Sequence, residues 1–274
     1  MLKRVDLHIH SHASDGQLPP AGVVRAAVAG RLDVIAITDH DTGSGVREAV
    51  EAARGLPVRV IPGIELSTQH DGVELHVLGY HIDPQSDAVQ RHQNGAIGRR
   101  AERMRQMVHK LQEMGIAVEF EEVVAAAGPE GSSLGRPHLA RTLHAKGHTR
   151  SVGEAFDKYL KDGGSAFVST PFPGVREAID LVHAAGGVAV WAHPPLEVFD
   201  REIRAFAAWG LDGVECYRPN TPPVESHLFE TAAHALGLLT TGGSDWHGPH
   251  RGRLGDFAVR EQDVQQLLAW RPPD

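Results

Sequence analysis

The stretch VDLHIHSHASDG, residues 5–16, carries three histidines and two aspartates within twelve positions. Its first half alternates apolar and polar residues, which predicts a strand. Alternate strand residues share a face, so Asp6, His8 and His10 are expected opposite Val5, Leu7 and Ile9. Two imidazoles spaced i, i+2 can reach one cation. SDG then reads as a turn, which leaves Asp15 close to the strand's end. A half-buried strand with polar residues facing water would look the same locally, so the decision rests on the remaining chain.

Working outward, strands and helices alternate. PPAGVVRAAVAG (19–30) begins with prolines and ends with glycine, the usual punctuation of a helix. DVIAITDH (33–40) reads as a buried strand, and SGVREAVEAARG (44–55) as a helix closed by Gly55. VRVIPGIELS (58–67) and VELHVLGYHI (73–82) read as two further strands. The alternation predicts an α/β fold with largely parallel strands. Beyond residue 83 the β pattern stops. Ile97, Ala101, Met104, Val108 and Leu111 recur at helical spacing, and RPHLARTLHAKG (136–147) and VGEAFDKYLKDGG (152–164) read as more helices. Alternation resumes with a helix at 175–187, strands at 188–194 and 213–217, helices at 201–210 and 225–237, and a last strand and loop, LLTTGGSDWHG (238–248). The expected organisation is therefore a first α/β part at 1–82, a helical insertion at 83–163 acting as a lid or substrate domain, and a second α/β part at 164–274. RPPD (271–274) reads as a frayed tail.

The bulk properties narrow the function. The 274 residues carry 27 Lys and Arg against 35 Asp and Glu, a formal net charge of −8. That balance argues against a broad grip on duplex nucleic acid while leaving room for a local basic pocket. The basic run RRAERMRQ (99–106) reads as a solvated helix face. One cysteine, Cys216, provides no disulfide framework, and the N-terminus has no apolar leader, so a cytoplasmic protein without membrane contact is expected. The 18 histidines exceed ordinary surface use. Half of them, His92 included, are assigned to solvated or helix-surface positions.

The unusual residues gather at strand ends. His8, His10 and Asp15 follow the first strand. His40 ends AITDH, Glu65 ends IPGIE, His76 lies in VELHVLGY, His193 ends VAVWAH, and Asp245 and His247 end GGSDWH. In barrel-like α/β folds the carboxyl ends of the strands are where chemistry is built. In GRPHLAR, Pro137 reads as the first helical residue with Arg136 at the cap and His138 in the first turn, an arrangement suited to a phosphate. Asp39 and Asp41 are expected to orient neighbouring ligands. Glu215, at the end of GVE, lines the pocket or serves structure.

DLHIHSHASDG, AITDHDT, PGIELS, HVLGY, AHP and GSDWH together resemble the motifs of the PHP (polymerase and histidinol phosphatase) family. The resemblance covers both α/β parts and is nearest to its stand-alone phosphoesterases of the nucleoside bisphosphate phosphatase and 5′→3′ exoribonuclease branch. It implies a distorted (β/α)7 barrel of PHP type with a helical insertion. It also implies three divalent metal ions, Mn²⁺ first, with Zn²⁺ and Fe²⁺ as alternatives. Carried over motif by motif, His8, His10, Glu65 and Asp245 hold the first ion. Glu65 bridges to a second ion held by His76 and His193, and Asp15, His40 and His247 hold the third. Asp15, Glu65 and Asp245 are the expected catalytic carboxylates, and Arg136 and His138 the expected substrate-phosphate clamp. All these donors are nitrogen or oxygen, which suits such ions. The implied reaction is attack of a metal-bridging hydroxide on phosphorus in a small nucleotide, such as a 3′,5′-nucleoside bisphosphate, or at the 5′ end of a short single-stranded RNA. Histidinol-phosphate phosphatase is the nearest enzymatic alternative. Aspartate at position 15 disfavours it, because many relatives have histidine there. A polymerase-type module is disfavoured by the short chain, and a non-catalytic metal-binding module by the complete ligand set.

Overall fold

The computed structural model describes residues 3–127, 133–169 and 171–271. Proline-rich residues 272–274, expected to fray, lie outside that set. In chain order the elements are β1 (Arg4–Ile9), α1 (Pro20–Ala29), β2 (Val34–Ile37), α2 (Val46–Ala52), β3 (Arg59–His70), β4 (Val73–Tyr80) and α3 (Asp87–Glu113). There follow α4 (Phe120–Ala127), α5 (Arg136–Ala145), α6 (Val152–Ala155), which runs into a π turn at Phe156–Leu160, and α7 (Val175–Ala184). The chain closes with β5 (Val188–Ala192), α8 (Leu196–Ala208), β6 (Gly213–Tyr217), α9 (Pro223–Ala235), β7 (Leu239–Gly242), β8 (Val259–Arg260) and α10 (Gln265–Ala269).

The strands form one sheet in the order β7-β6-β5-β4-β3-β2-β1-β8. It nearly closes on itself, because the end of β1 meets the segment after β7. The His10 N–H donates to the Trp246 carbonyl at 2.9 Å, and the Trp246 N–H to the His8 carbonyl at 3.3 Å. A side chain on Gly243 would place its Cβ 2.3 Å from the Cβ of His8, so glycine is what lets the two ends approach.

Three expectations change. The sheet is mixed rather than largely parallel, because β4 runs antiparallel to both β3 and β5. The turn Asp71-Gly72 joins β3 to β4 with both residues at positive φ, 48° and 79°, as a tight hairpin requires. An eighth strand, β8, pairs antiparallel with β1; at two residues it is too short to carry a period. The alternation in β1 also breaks. The β1–β2 register shifts between Asp6 and Ile9. Val5 and Leu7 pack with Val34, Ala36 and Ile61 inside the barrel, whereas Ile9 packs outward with Val23, Val24 and Ile37 beneath α1. Such a bulge re-aims the residues beside it, here His8 and His10.

The helices between β4 and β5 bury their own apolar set, which includes Met104, Met107, Val108, Leu111, Val123, Leu139, Leu143 and Leu160. The long helix α3 starts at Ser86, whose side chain accepts from the Val89 N–H. Its buried face is not purely apolar, for Arg100 and Arg103 lie on it, 6% and 7% exposed. The Arg100 guanidinium bolts this helix to the barrel. Nε donates to Asp41 Oδ2 at 2.8 Å, Nη2 donates to the same oxygen and to Ser67 Oγ, and Nη1 donates to the Leu134 carbonyl at 3.1 Å. Within the run read as solvated, Arg100 and Arg103 thus belong to the docking face, whereas Glu102 and Arg105 are exposed as expected.

Candidate metal centre

Because β4 is antiparallel, a residue near its start reaches the rim where the parallel strands end. His76 lies opposite Ser67 of β3 and Ala192 of β5, one residue before His193. It is therefore not at a strand's carboxyl end, as the simple reading had it. His40 bridges to Glu65 just beyond the parallel β2–β3 pairing. His193 and Asp245 adopt positive φ, 30° and 54°, uncommon for non-glycine residues, where their strands break off.

Glu65 is the hub, and it is fully buried. Its Oε2 lies 3.3 Å from His8 Nε2, 3.2 Å from His10 Nε2 and 3.0 Å from His40 Nδ1. Its Oε1 lies 2.8 Å from His76 Nδ1 and 2.9 Å from His193 Nε2. Asp245 Oδ1 is 3.4 Å from His8 Nε2 and 3.2 Å from His10 Nε2. Asp15 Oδ1 is 3.2 Å from His247 Nε2, and its Oδ2 is 3.9 Å from His40 Nε2. All the residues singled out as ligands therefore converge. Within this cluster, groups able to hold a cation are His8, His10 and Glu65; His40, Glu65 and His76; and His10, Asp15, His40 and His247. His10 and His40 each belong to two groups, a sharing not expected from strand order.

The donor atoms fit cations better than they fit one another. Ring nitrogens face each other at 3.1 Å in two places, His8 Nε2 with His10 Nε2 and His76 Nδ1 with His193 Nε2. Buried His10 Nδ1, His40 Nδ1 and Glu65 Oε2 have no hydrogen-bond partner among the described residues. Orphaned buried polar atoms are costly, and a shared cation relieves them together.

The electrostatics agree. Burial would raise Glu65, but His40, His76 and His8 outweigh it and hold the carboxyl well below its usual range. Asp245 and Asp15 are likewise held low against burial, by His8 and by His247 first. Burial would lower His10 and His76, yet carboxylate contacts raise both to about 10. Burial dominates at His40 and pushes it down to about 3. Histidine coordinates only when neutral, so a cation entering this cluster displaces protons, and its affinity rises with pH.

A second layer orients the first. Glu215 is buried, its Oε1 2.9 Å from His8 Nδ1, while its Oε2 accepts from the His193 N–H at 2.8 Å. This fixes the His8 ring with Nε2 toward Glu65. Glu215→Ala is expected to weaken Mn²⁺ binding about 10–100-fold, measured by titration with electron paramagnetic resonance, and Glu215→Gln to retain most of it. Unchanged affinity in the alanine variant would remove Glu215 from this role. Asp39 accepts from the Ser11 N–H and from the Ser11 and Ser14 hydroxyls, each at 2.7 Å, and so shapes the loop that presents Asp15. Asp41 accepts from the Ser67 N–H at 2.9 Å, and its Oδ1 lies 2.8 Å from His92 Nε2. His92 is thus buried against Asp41, not solvated.

The cleft above the cluster is about 270 Å³ and is lined by its three carboxylates and the rings of His40, His76, His193 and His247, together with Glu74, Arg100, Arg103, Arg136 and Phe156. Arg136 lies on the wall, paired with Asp162 and 3.7 Å from Glu74. The α5 cap is Gly135, one residue earlier than read, so Arg136 is the first helical residue. His138 is fully buried beneath that wall, and its Nδ1 accepts from the Gly135 N–H at 2.9 Å. Of the residues missed from sequence, Arg100, Arg103 and His92 belong to α3 and Glu74 to β4. The available signal was register, since Arg100, Arg103, Met104, Met107, Val108 and Leu111 share one stripe.

A family model described as the PHP domain matches residues 6–162. The chain is 35% identical over 257 residues to a 5′-3′ exoribonuclease of Haemophilus influenzae, covering 91% of this chain and 92% of that protein. It is 34% identical over 259 residues to a 3′,5′-nucleoside bisphosphate phosphatase of Chromobacterium violaceum, covering 92% and 90%. A solved structure from Bifidobacterium adolescentis, assigned as a metal-dependent phosphoesterase, superposes with a TM-score of 0.89 at 32% identity, covering 96% and 95%. No helix among the described residues is long and apolar enough to cross a membrane.

Proposed function

Given that this chain belongs to the PHP family, we propose that it is a metal-dependent phosphoesterase acting on small nucleotides, 3′,5′-nucleoside bisphosphates first, or on RNA 5′ ends. The observation that carries the reading is the buried Glu65 hub, with both oxygens shared among five imidazoles. Three divalent ions, Mn²⁺ foremost, are assigned to it. His8, His10, Glu65 and Asp245 hold one, Glu65, His76 and His193 a second, and Asp15, His40 and His247 the third. When bound, such ions supply Lewis acidity and an activated water at neutral pH.

The chain's own groups do the rest. The carboxylates of Asp15, Glu65 and Asp245 keep the cluster assembled and offset its positive charge. Glu215 and Glu74 hold the His8 and His76 rings, the latter through a 3.4 Å contact with Nε2. Arg136 presents a guanidinium to the cleft, where it orients a substrate phosphate. His138 supports that position by capping α5 from below. The net reaction consumes water, breaks the ester P–O bond, and releases an alcohol together with inorganic phosphate from a monoester, or with the remaining phosphate monoester from an RNA diester.

The test is phosphate release with Mn²⁺ from 3′-phosphoadenosine 5′-phosphate, run beside histidinol phosphate and a short 5′-phosphorylated RNA. Release from the bisphosphate, or nucleotide release from the RNA, supports the reading. Turnover of histidinol phosphate alone replaces it, and silence on all three with metal bound favours a non-catalytic module. Arg136→Ala is expected to lower kcat/KM on the best substrate about 10–100-fold, the worth of one charge-assisted contact. An unchanged kcat/KM would take Arg136 out of the site.

A further inference from the structure

Away from the cleft, one further set of metal-ligating side chains converges among the described residues: His70, Asp71 and Glu202. His70 ends β3, the strand that carries Glu65, and Asp71 begins the turn into β4, the strand that carries His76. At about 3.3 Å per residue, His70 stands roughly 16 Å along the strand from the hub, and the two sets have no residue in common. Glu202 comes from α8. His70 Nε2 lies 3.2 Å from Glu202 Oε2 and 3.8 Å from Asp71 Oδ2. Donors around one tetrahedral Zn²⁺ stand about 3.4 Å apart, and the two observed separations bracket that value.

Two of the three donors are held in place by packing. The His70 ring meets Phe206 and Trp209 edge-on, with centroids 5.1 and 5.7 Å away. Its side chain is 19% exposed and that of Glu202 18%. The hairpin backbone is fixed beside them, where the Gln69 N–H donates to the Pro173 carbonyl at 2.9 Å. Asp71, exposed at the tip, swings in to close the set. The charges also call for a cation. Two carboxylates face one imidazole, and the guanidinium of Arg201 approaches only the other Glu202 oxygen, at 3.5 Å, from an exposed position. An imidazolium offsets one of these carboxylates, whereas a divalent ion offsets both.

We propose that His70, Asp71 and Glu202 bind one divalent cation, Zn²⁺ before Mn²⁺, which staples the β3–β4 hairpin to α8. One imidazole and two carboxylates are donors of the right kind, and three protein ligands leave a further position to water. At a given nitrogen and oxygen site Zn²⁺ binds more tightly than Mn²⁺. The hairpin and α8 already share a core through Leu66, Leu75, Ile203 and Phe206. The ion ties the same two elements at the surface, behind the strands that present Glu65 and His76, and its role is structural. Whether the chain hydrolyses phosphate esters does not bear on it.

The experiment titrates Zn²⁺ by calorimetry into Glu65→Gln and into the same chain carrying His70→Ala as well. The Glu65→Gln background suppresses binding in the cleft, and the paired comparison cancels whatever the cleft retains. The double variant should bind one equivalent fewer, or bind that equivalent at least about 10-fold more weakly, since partners behind a ligand alone are worth 10–100-fold. An ion that binds only the folded chain raises its unfolding temperature. Saturating Zn²⁺ should therefore raise the melting temperature of Glu65→Gln by more than that of the double variant. Equal stoichiometry, affinity and thermal shift in the two proteins overturn the proposal and leave His70 and Glu202 as an ion pair. Glu202→Gln keeps the volume of the side chain and takes the place of His70→Ala if the alanine variant does not fold, with the same outcomes. His70→Ala against wild type gives the same subtraction if Glu65→Gln does not fold.

Discussion

Replacing Glu65 with glutamine should lower kcat on any phosphate-ester substrate by about 10³-fold or more and strip bound metal from the protein. The size follows from the hub geometry. One buried carboxylate contacts His8, His10 and His40 through one oxygen and His76 and His193 through the other. Glutamine keeps the volume, loses the charge and offers an amide donor where a ligand oxygen stood. Losing several kcal/mol of Lewis-acid stabilisation corresponds to about three orders of magnitude in rate. Elemental analysis after dialysis, with thermal unfolding as a control, separates loss of metal from loss of fold. Wild-type metal content together with wild-type kcat would sink the hub assignment. Asp15→Ala is a milder companion, because Asp15 belongs to a single group with His40 and His247; it should lose most turnover and keep the fold.

Removing Asp41 should have the largest effect on stability. Arg100 and Asp41 are both buried, and His92 also leans on this carboxylate. Deleting one partner of a buried charge pair leaves the other uncompensated, at a cost of about 3–5 kcal/mol. Urea unfolding of Asp41→Ala at pH 7, with chelator present, measures it; a loss below about 1 kcal/mol would place the pair with ordinary surface salt bridges. Replacing Arg100 with methionine in the same chain should restore much of the loss, since an apolar side chain needs no counter-charge. The pH dependence has a definite sign. Burial would raise Asp41, but Arg100 and His92 hold it well below its ordinary value of 3.8. Its contribution is therefore complete above about pH 4 and is lost as pH falls toward the lower folded-state value. The stability gap between wild type and Asp41→Ala should narrow on acidification below pH 4.

Much of the site was legible because ligand chemistry is local. The i, i+2 histidines of VDLHIH, the GSDWH ending and the isolated His40, Glu65 and His193 are read from residue type and position, and the folded chain brings all of them to one centre. Period told helix from strand for the same reason, since side-chain direction repeats every 2 or 3.6 residues wherever the chain lies. Direction and pairing are not local. Nothing in VELHVLGY states that it runs against both neighbours, yet that reversal is what brings His76 to His193. The Asp71-Gly72 turn was the available clue, and it bears on the β3 side alone. The bulge in β1 arises from pairing with β2 and closure against Trp246, so strict alternation misplaced Ile9.

Charges on α3 show the limit most clearly. Arg99 to Gln106 look like a solvated basic run because lysine and arginine are usually exposed. Only the tertiary structure supplies Asp41 as the buried partner of Arg100 and sets the guanidinium of Arg103 over Phe167. The sequence by itself determined the donor set, the α/β alternation and the helical stretch between the two α/β parts. The tertiary structure decided which face of α3 is inside, that Glu65 meets five imidazoles through its two oxygens, that Glu215 braces His8 from behind, and that Asp41 anchors Arg100 and His92 of α3. The physical reason is that a charged group is buried only where a distant partner or ligand offsets its desolvation, and distant partners are set by the closed sheet, not by neighbouring residues.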